Sequence, residues 1–451
     1  MNFTSVFFLP LYAVTALLYP RLRSQARVLL LLIASWTFFV LESPGSGVIL
    51  LVVTVVTYAA GLLMDRLSGK MRTRSLLLTA VLLVTLGILG VFKYSGRFFL
   101  PAGISFYTFQ ALSYIIDVYR GDFPAERQFH RYALYLSFFP QVVAGPIEKP
   151  GDLMGQLRCE APVKEGDFRV GGYLMLRGYV KKIVIADALA PVVDEVFARA
   201  GATGPSVLAA AILFSLQIYA DFSGYSDIAL GAARMLGIRL TENFKNPYLA
   251  DGIRDFWRRW HITLSRWLRE YVYIPLGGNR KGGLRTALNT LIVFAVSGVW
   301  HGRGVHFLVW GLAHGVYVLA EDLLPERGEA DAIVLRRLRQ AGTFLLVSLL
   351  WILFRAPTLR EALEMYAALP TGWAGIATGL GDWIAGNRLA FLRLLPAVPL
   401  LLILRGEPRE ADVPAKAGAL IGGYLLFLIT LGSLYLNLQS GGAAPFIYFR
   451  F

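Results

Sequence analysis

The sequence predicts an all-α polytopic membrane protein, and three observations carry that prediction. Of 451 residues, 56% are hydrophobic and only 16% are charged, whereas soluble domains average about 25% charged residues. The mean hydropathy is +0.56. Apolar stretches approaching the ~20 residues of a membrane-crossing helix recur along almost the whole chain. They fall at 5–20, 28–42, 47–64, 75–92, 98–116, 173–198, 206–235, 286–319, 340–354, 389–405 and 416–437. The loops between them are too short for a separate folded domain, so 1–451 is expected to be a single integral-membrane domain.

The first stretch begins without a basic flank and ends in Leu-Tyr-Pro-Arg, which reads as a retained helix rather than a cleaved signal. Arg21, Arg23 and Arg27 follow it, and Arg66, Lys70, Arg72 and Arg74 follow the third stretch, while the turn near Glu42 between them has no basic residue. Basic loops stay in the cytoplasm, so the N-terminus is expected outside. The stretch 206–235 is interrupted by Asp221 and Asp227, and 286–319 would reach about 50 Å as one helix. Neither reads as one simple span. The formal charge of +14 belongs to cytoplasmic loops, since no nucleic-acid motif accompanies it. Cys159 is the only cysteine; it excludes an intramolecular disulfide and reads as an inert or reversibly acylated thiol.

Residues 251–285 carry eight basic and three acidic residues. Trp257, Trp260, Leu264, Trp267, Leu268 and Tyr271 recur at helical spacing, with Arg254, Arg258, Arg266 and Arg269 largely off that face. An amphipathic helix along the inner membrane interface is expected. His261 falls on its apolar face, as a functional group or as a buried histidine bonded to backbone. The basic surface, including Arg258, Arg259, Arg280 and Lys281, would attract phosphates or an acidic protein, or equally anionic lipid headgroups.

Downstream, a helix starting near Arg285 would carry His301 up to about 24 Å from the cytoplasmic interface. An intramembrane histidine beside the Gly302-Arg303-Gly304 break is a functional candidate, because ionisable groups and broken backbone at membrane depth are costly. The alternative is a histidine that satisfies backbone groups freed by the glycines. His130 sits in a polar loop and reads as solvated. His306 and His314 lack acidic or cysteine neighbours at ligand spacing, so no metal site is expected. Asp221 and Asp227 are either proton-relay carboxylates or caps of broken helix ends. The chain has no phosphate-binding G-x-x-x-x-G-K-[ST] loop, no G-D-S block and no G-x-S-x-G elbow, which excludes an ATP-driven pump and argues against a triad hydrolase.

Seven strings then resemble one family. They are PAGISFYTFQALSYIIDVYRG (101–121), FFPQVVAGPIEKP (138–150), DFSGYSDIALG (221–231), ENFKNPYLADGIRDFWRRWHITLSRWLREYVYIPLGGNR (242–280), SGVWHG (297–302), WGLAHG (310–315) and FIYFRF (446–451). In this order they resemble the membrane-bound O-acyltransferases, and within them the alginate O-acetylation branch. The resemblance implies about eleven transmembrane helices plus re-entrant or interfacial helices around a trans-membrane tunnel, with 98–320 as the family core. It implies His301 as the catalytic histidine and His261 as the second signature position. Trp300, Arg303, Asp221 and Tyr225 become candidates for lining the tunnel, and Arg258 and Arg259 for holding the donor. No cofactor is expected to be bound. The implied donor is a cytoplasmic thioester, acetyl-coenzyme A or an acylated carrier protein, the implied partner is an extracytoplasmic serine-esterase-like (SGNH-type) acyltransferase, and the implied location of the chain is a bacterial inner membrane. Alginate, cellulose, other exopolysaccharides and peptidoglycan all remain open as acceptors. Arg303 stands where a small residue is expected, and the chain is shorter than expected for the alginate protein.

These readings converge on acyl transfer from a thioester to a hydroxyl, with His301 as general base and an oxyanion donor near the Gly-Arg-Gly break, either backbone N–H groups or Arg303. The rival is a proton-coupled transporter or polysaccharide-translocation subunit whose histidines and aspartates form a proton path. Partner binding without catalysis is the third reading.

Overall fold

Helices dominate from the first turn onward. The computed structural model describes residues 3–5, 7–198, 201–323 and 333–376, together with single positions 381, 428, 432 and 447. The expected spans 389–405 and 416–437, and the terminal string 446–451 apart from Ile447, lie outside the described residues. Sixteen α-helices are described: α1 (Phe8–Leu18), α2 (Ser24–Glu42), α3 (Pro44–Arg66), α4 (Met71–Tyr94), α5 (Ile104–Arg120), α6 (Phe129–Ser137), α7 (Pro150–Leu153), α8 (Glu165–Tyr179), α9 (Asp187–Ala198), α10 (Gly204–Met235), α11 (Ile253–Arg259), α12 (Ile262–Leu268), α13 (Gly283–His301), α14 (Val305–Glu321), α15 (Ile333–Arg355) and α16 (Leu359–Ala368). The boundaries follow local chemistry. Pro44 opens α3 at a position where its missing N–H costs nothing. Gly103 and Gly121 flank α5 in left-handed backbone, which a glycine adopts without steric cost.

Among the described residues, six helices are long and apolar enough to cross a membrane: those over Ser24–Leu41, Pro44–Arg66, Met71–Tyr94, Gly204–Met235, Gly283–His301 and Ile333–Arg355. Some expected spans therefore take another form. Helix α1 has 11 residues, about 17 Å, against a hydrocarbon core of about 30 Å. Helix α5 has 17 residues and buries most of them in protein. The stretch 173–198 lies within α8, a π-helical turn (Val180–Ala186) and α9, which contains Pro191. Apolarity alone does not separate lipid contact from a protein core.

The chain forms two compact units. Among the described residues, the first comprises those up to 176 and 225–242, and the second comprises 177–224 and those from 243 onward. In the first, α3 packs against α2, α4, α5 and α6, and Gly61 brings α3 onto Tyr114 of α5, whose hydroxyl would lie 2.6 Å from an added Cβ. A buried polar seam crosses this unit. Gln141 donates to Gln110 (2.9 Å) and Gln110 to the Tyr135 carbonyl (2.6 Å), while the Thr241 N–H and hydroxyl donate to Glu148 (2.5 and 3.0 Å). On α4, Leu76, Leu83, Leu86 and Val91 are exposed and form a lipid-facing side.

In the second unit, 286–319 does divide into two helices. Gly298 lies against Phe307 and Leu308, Gly311 against Phe294, and Gly315 against Leu291. This opposite register makes α13 and α14 an antiparallel hairpin with Gly302–Gly304 at its tip. Two expectations are overturned. Helix α10 runs unbroken for 32 residues, so Asp221 and Asp227 are interior to it and cap no broken end. Lys182 meets Asp221 at 2.7 Å, which satisfies that charge without interrupting the backbone. The expected continuous helix over 251–285 is also broken. Trp260 pairs in extended conformation with Phe244, and His261 adopts left-handed backbone with φ +44°, separating α11 from α12. Trp260, Leu264, Trp267, Leu268 and Tyr271 are buried in protein rather than laid along a lipid interface.

Candidate active site

His301 is the last residue of α13 and is 2% exposed. Its ring is enclosed by aromatic side chains: Trp300 at 4.8 Å, Trp310 at 5.0 Å and Phe354 at 5.2 Å between centroids, all steeply inclined to it. The hairpin tip places α14 beside it, because Gly298 and Gly311 let the two helices approach more closely than any side chain would allow. Trp310 in turn stacks on Trp351 of α15 (5.6 Å, 19°).

His261 lies in the α11–α12 break with no exposed surface. Phe222 of α10 meets its ring edge-on at 4.8 Å, and Trp300 lies 6.0 Å away. Trp300 thus contacts both histidines that sequence reasoning selected. Asn243 Oδ1 stands 3.3 Å from His261 Nδ1. Burial pushes the His261 imidazole down to about 3, because removing it from water penalises the charged form. It is neutral at pH 7.

A cavity of about 270 Å³ opens in the same unit, close to the lower size limit of small-molecule pockets. Arg254, Arg258 and Arg269 contribute to its lining, with Trp257, Leu264, Leu268, Val293 and Phe294 supplying apolar wall and Ser265, Thr290 and Ser297 hydroxyls. Arg254, Arg258 and Arg269 are all exposed; Arg254 also pairs with Asp322, and its backbone N–H donates to Glu321 (2.9 Å). From Trp257 an aromatic path leads inward: its indole N–H donates to His314 Nδ1 (3.3 Å), and its ring lies 5.8 Å from that of Trp310.

The other selected residues are dispersed. Arg259 does not line the cavity; it pairs with Asp255 at 2.9 Å. Arg303 is exposed at the hairpin tip. Asp221 accepts from Lys182 and from the Ile447 backbone N–H (2.7 Å). Tyr225 belongs to the first unit, where it stacks on Phe3 at 4.3 Å. His130 is exposed, and Cys159 is buried, with its thiol donating to the Leu157 carbonyl. Sequence reasoning missed Asn243, Ser297 and Lys182. A signal existed for Ser297, which precedes His301 by one helical turn. Asn243 and Lys182 act over distances in sequence that no local pattern reveals.

Comparison with known proteins identifies the family and relatives of this chain. The model of the membrane-bound O-acyltransferase family matches residues 126–329, which include both histidines. The chain is similar to the "Probable alginate O-acetylase AlgI" of Azotobacter vinelandii, at 34% identity over 98% of each chain. It is similar also to the "Peptidoglycan O-acetyltransferase" of Helicobacter pylori, at 35% identity over 63% of this chain and 62% of that one. The "Teichoic acid D-alanyltransferase" of Bacillus subtilis matches at 29% identity over 48% of this chain and 57% of its own. Family membership favours an enzyme over the transporter reading. The chain belongs to the membrane-bound O-acyltransferase family and is an acyltransferase embedded in a membrane by several apolar helices.

Proposed function

We propose that this chain takes an acyl group, an acetyl group in the simplest case, from a cytoplasmic thioester and passes it across the inner membrane for O-acylation of an extracytoplasmic polysaccharide. The observation that carries the reading is the cavity. Its arginines suit the phosphates of coenzyme A or of a carrier protein's phosphopantetheine, and its wall includes Ser297, one helical turn before His301. The relatives' names support an acceptor in the cell envelope, since they specify alginate, peptidoglycan and teichoic acid. The positive-inside arrangement supports an extracytoplasmic N-terminus and a cytoplasmic position for 251–285.

In this reading neutral His301 accepts the proton of the attacking hydroxyl as its oxygen adds to the thioester carbonyl. Collapse of the tetrahedral species breaks the carbon–sulfur bond, and the imidazolium returns the proton to the departing thiolate. The Trp310 indole N–H is buried, has no acceptor among the described residues, and suits the role of oxyanion donor. Exposed Arg303 suits it less. His261 shapes the site around the acyl group. The reaction needs no resident cofactor, and an SGNH-type partner completes delivery to the polymer.

The test uses sealed proteoliposomes of known orientation, with labelled acetyl-coenzyme A or acylated carrier protein supplied only on the face bearing 251–285. The expected result is that the chain alone consumes donor without acylating polymer, and that an extracytoplasmic acyltransferase with polymer on the opposite face restores polymer modification. Polymer acylation by the isolated chain, with donor and polymer on one face, would overturn the trans-membrane relay.

A further inference from the structure

Asn243 sits before α11 and reaches three consecutive residues of the break that holds His261. Its backbone carbonyl accepts the Ile262 N–H (3.0 Å). Its side-chain Oδ1 accepts the Thr263 N–H (3.2 Å) and the Thr263 hydroxyl (2.6 Å), and lies 3.3 Å from His261 Nδ1. The Thr263 backbone N–H can only donate, so the amide atom facing it is the oxygen and not the nitrogen. That fixes the orientation of the Asn243 amide. The same oxygen faces His261 Nδ1 and can only accept there. Nδ1 therefore carries the proton, and in a neutral ring the lone pair falls to Nε2.

The backbone reinforces this choice. His261 is held at φ +44°, an uncommon conformation for a residue with a side chain, which persists only where its surroundings fix it. The four contacts from Asn243 span residues 261–263 and provide that restraint. We infer that Asn243 is a positioning residue that locks His261 into the Nδ1–H tautomer, so that its Nε2 accepts a hydrogen bond from a hydroxyl or thiol rather than donating one. Those are the two groups that acyl transfer from a thioester to an alcohol consumes and releases. The inference rests on the proposed role of this site in acyl transfer only for its consequence, not for the tautomer itself.

The experiment is nitrogen NMR of full-length protein labelled with [15N]histidine in lipid nanodiscs at pH 7, with the His261 signals identified by their loss in His261→Gln. The expected spectrum shows a neutral ring protonated at Nδ1; protonation at Nε2, or an imidazolium, would overturn the inference. Asn243→Leu is expected to abolish the preference for Nδ1–H and to lower kcat about tenfold, the scale of one hydrogen bond, with the donor KM unchanged. Asn243→Asp, which keeps the acceptor, is expected to keep the proton on Nδ1. If Asn243→Leu leaves the wild-type tautomer in place, the positioning role fails. Should the tautomer behave as expected while His261→Gln retains full acyl transfer, the positioning role stands and the part assigned to His261 in the reaction falls.

Discussion

Ser297 and His301 stand one helical turn apart on the same face of α13, with Ser297 on the cavity wall and His301 enclosed by aromatic rings. Residues four apart on a helix are direct neighbours. In the proposed reading, a group held by the arginines passes Ser297 on its way to the imidazole.

This relationship makes Ser297 a test of the path. Its hydroxyl is buried and has no hydrogen-bond partner among the described residues, so Ser297→Ala removes an unsatisfied polar group and is expected to leave stability within about 1 kcal/mol of wild type. Ser297→Leu, by contrast, fills the wall nearest His301 and is expected to lower kcat/KM for thioester at least tenfold, about 1.4 kcal/mol of transition-state binding. Wild-type turnover by the leucine variant would place the path elsewhere.

His301→Ala is expected to insert and fold yet to lose acyl transfer by at least about 100-fold, the low end for removal of a general base. His301→Gln keeps hydrogen-bonding capacity without basicity and is expected to be equally inactive. Labelled-donor turnover, measured beside thermal stability of the purified variants, separates a lost base from a lost fold. Substantial transfer by either folded variant argues against the assignment.

The structure divides two arginines that sequence spacing had grouped. Arg258 lines the cavity and is exposed, while Arg259 is held by Asp255 at 2.9 Å. Arg258→Gln is expected to raise the donor KM several-fold and to flatten its dependence on salt, since a mobile surface charge acts through screened attraction. Arg259→Gln is expected to change KM less than about twofold, as a half-buried i,i+4 pair near the surface is worth about 0.5 kcal/mol. Equal effects of the two would point to anchoring on lipid headgroups.

The fold class was legible because burying so many apolar residues leaves few alternatives to a membrane or its protein core. His301 was legible because the glycines that break the backbone beside it are adjacent in sequence. The break at His261 was not legible: Trp257, Trp260, Leu264 and Trp267 keep helical spacing straight through it. What interrupts the helix is Asn243, 18 residues upstream, together with the Phe244–Trp260 bridge. In the same way Asp221 resembles a helix cap until Lys182, 39 residues away, is brought against it. Patterns confined to one turn survive in the sequence, and pairings made by tertiary folding do not.

Burial of His261 has a pH consequence. Its imidazole is pushed down to about 3 in the folded protein, against about 6.5 in an unfolded chain. Below pH 6.5 the unfolded state binds the proton that the folded state refuses, so the stabilising contribution is complete above about pH 6.5 and is lost progressively as pH falls toward 3. At pH 5 the loss is roughly 2 kcal/mol. The drop in Tm between pH 7 and pH 5 is therefore expected to be smaller in His261→Gln than in wild type. Parallel losses in the two proteins would show that His261 is hydrated in solution.

The buried ion cluster that ties Asp221 of α10 to Lys182 of the π-helical turn and Asp187 of α9 separates structure from proton relay. Lys182 Nζ meets Asp187 at 2.8 Å and Asp221 at 2.7 Å, all three almost fully buried, and Asp221 also accepts the Ile447 N–H at 2.7 Å. Gly224 lets the helices approach here, since an added Cβ would lie 2.8 Å from the Gly178 carbonyl oxygen. Removing one partner of a buried ion pair costs about 3–5 kcal/mol, because the other charge remains without compensation. Lys182→Met is accordingly expected to lower the Tm and the yield of folded protein sharply. Asp221→Asn keeps an acceptor for Ile447 and for the ammonium, and Asp187 remains to balance the charge, so its cost is expected to be clearly smaller and its kcat close to wild type. A proton relay through Asp221 predicts the reverse pattern, with unchanged stability and turnover abolished in Asp221→Asn. Measuring Tm and kcat on the same two variants decides between them.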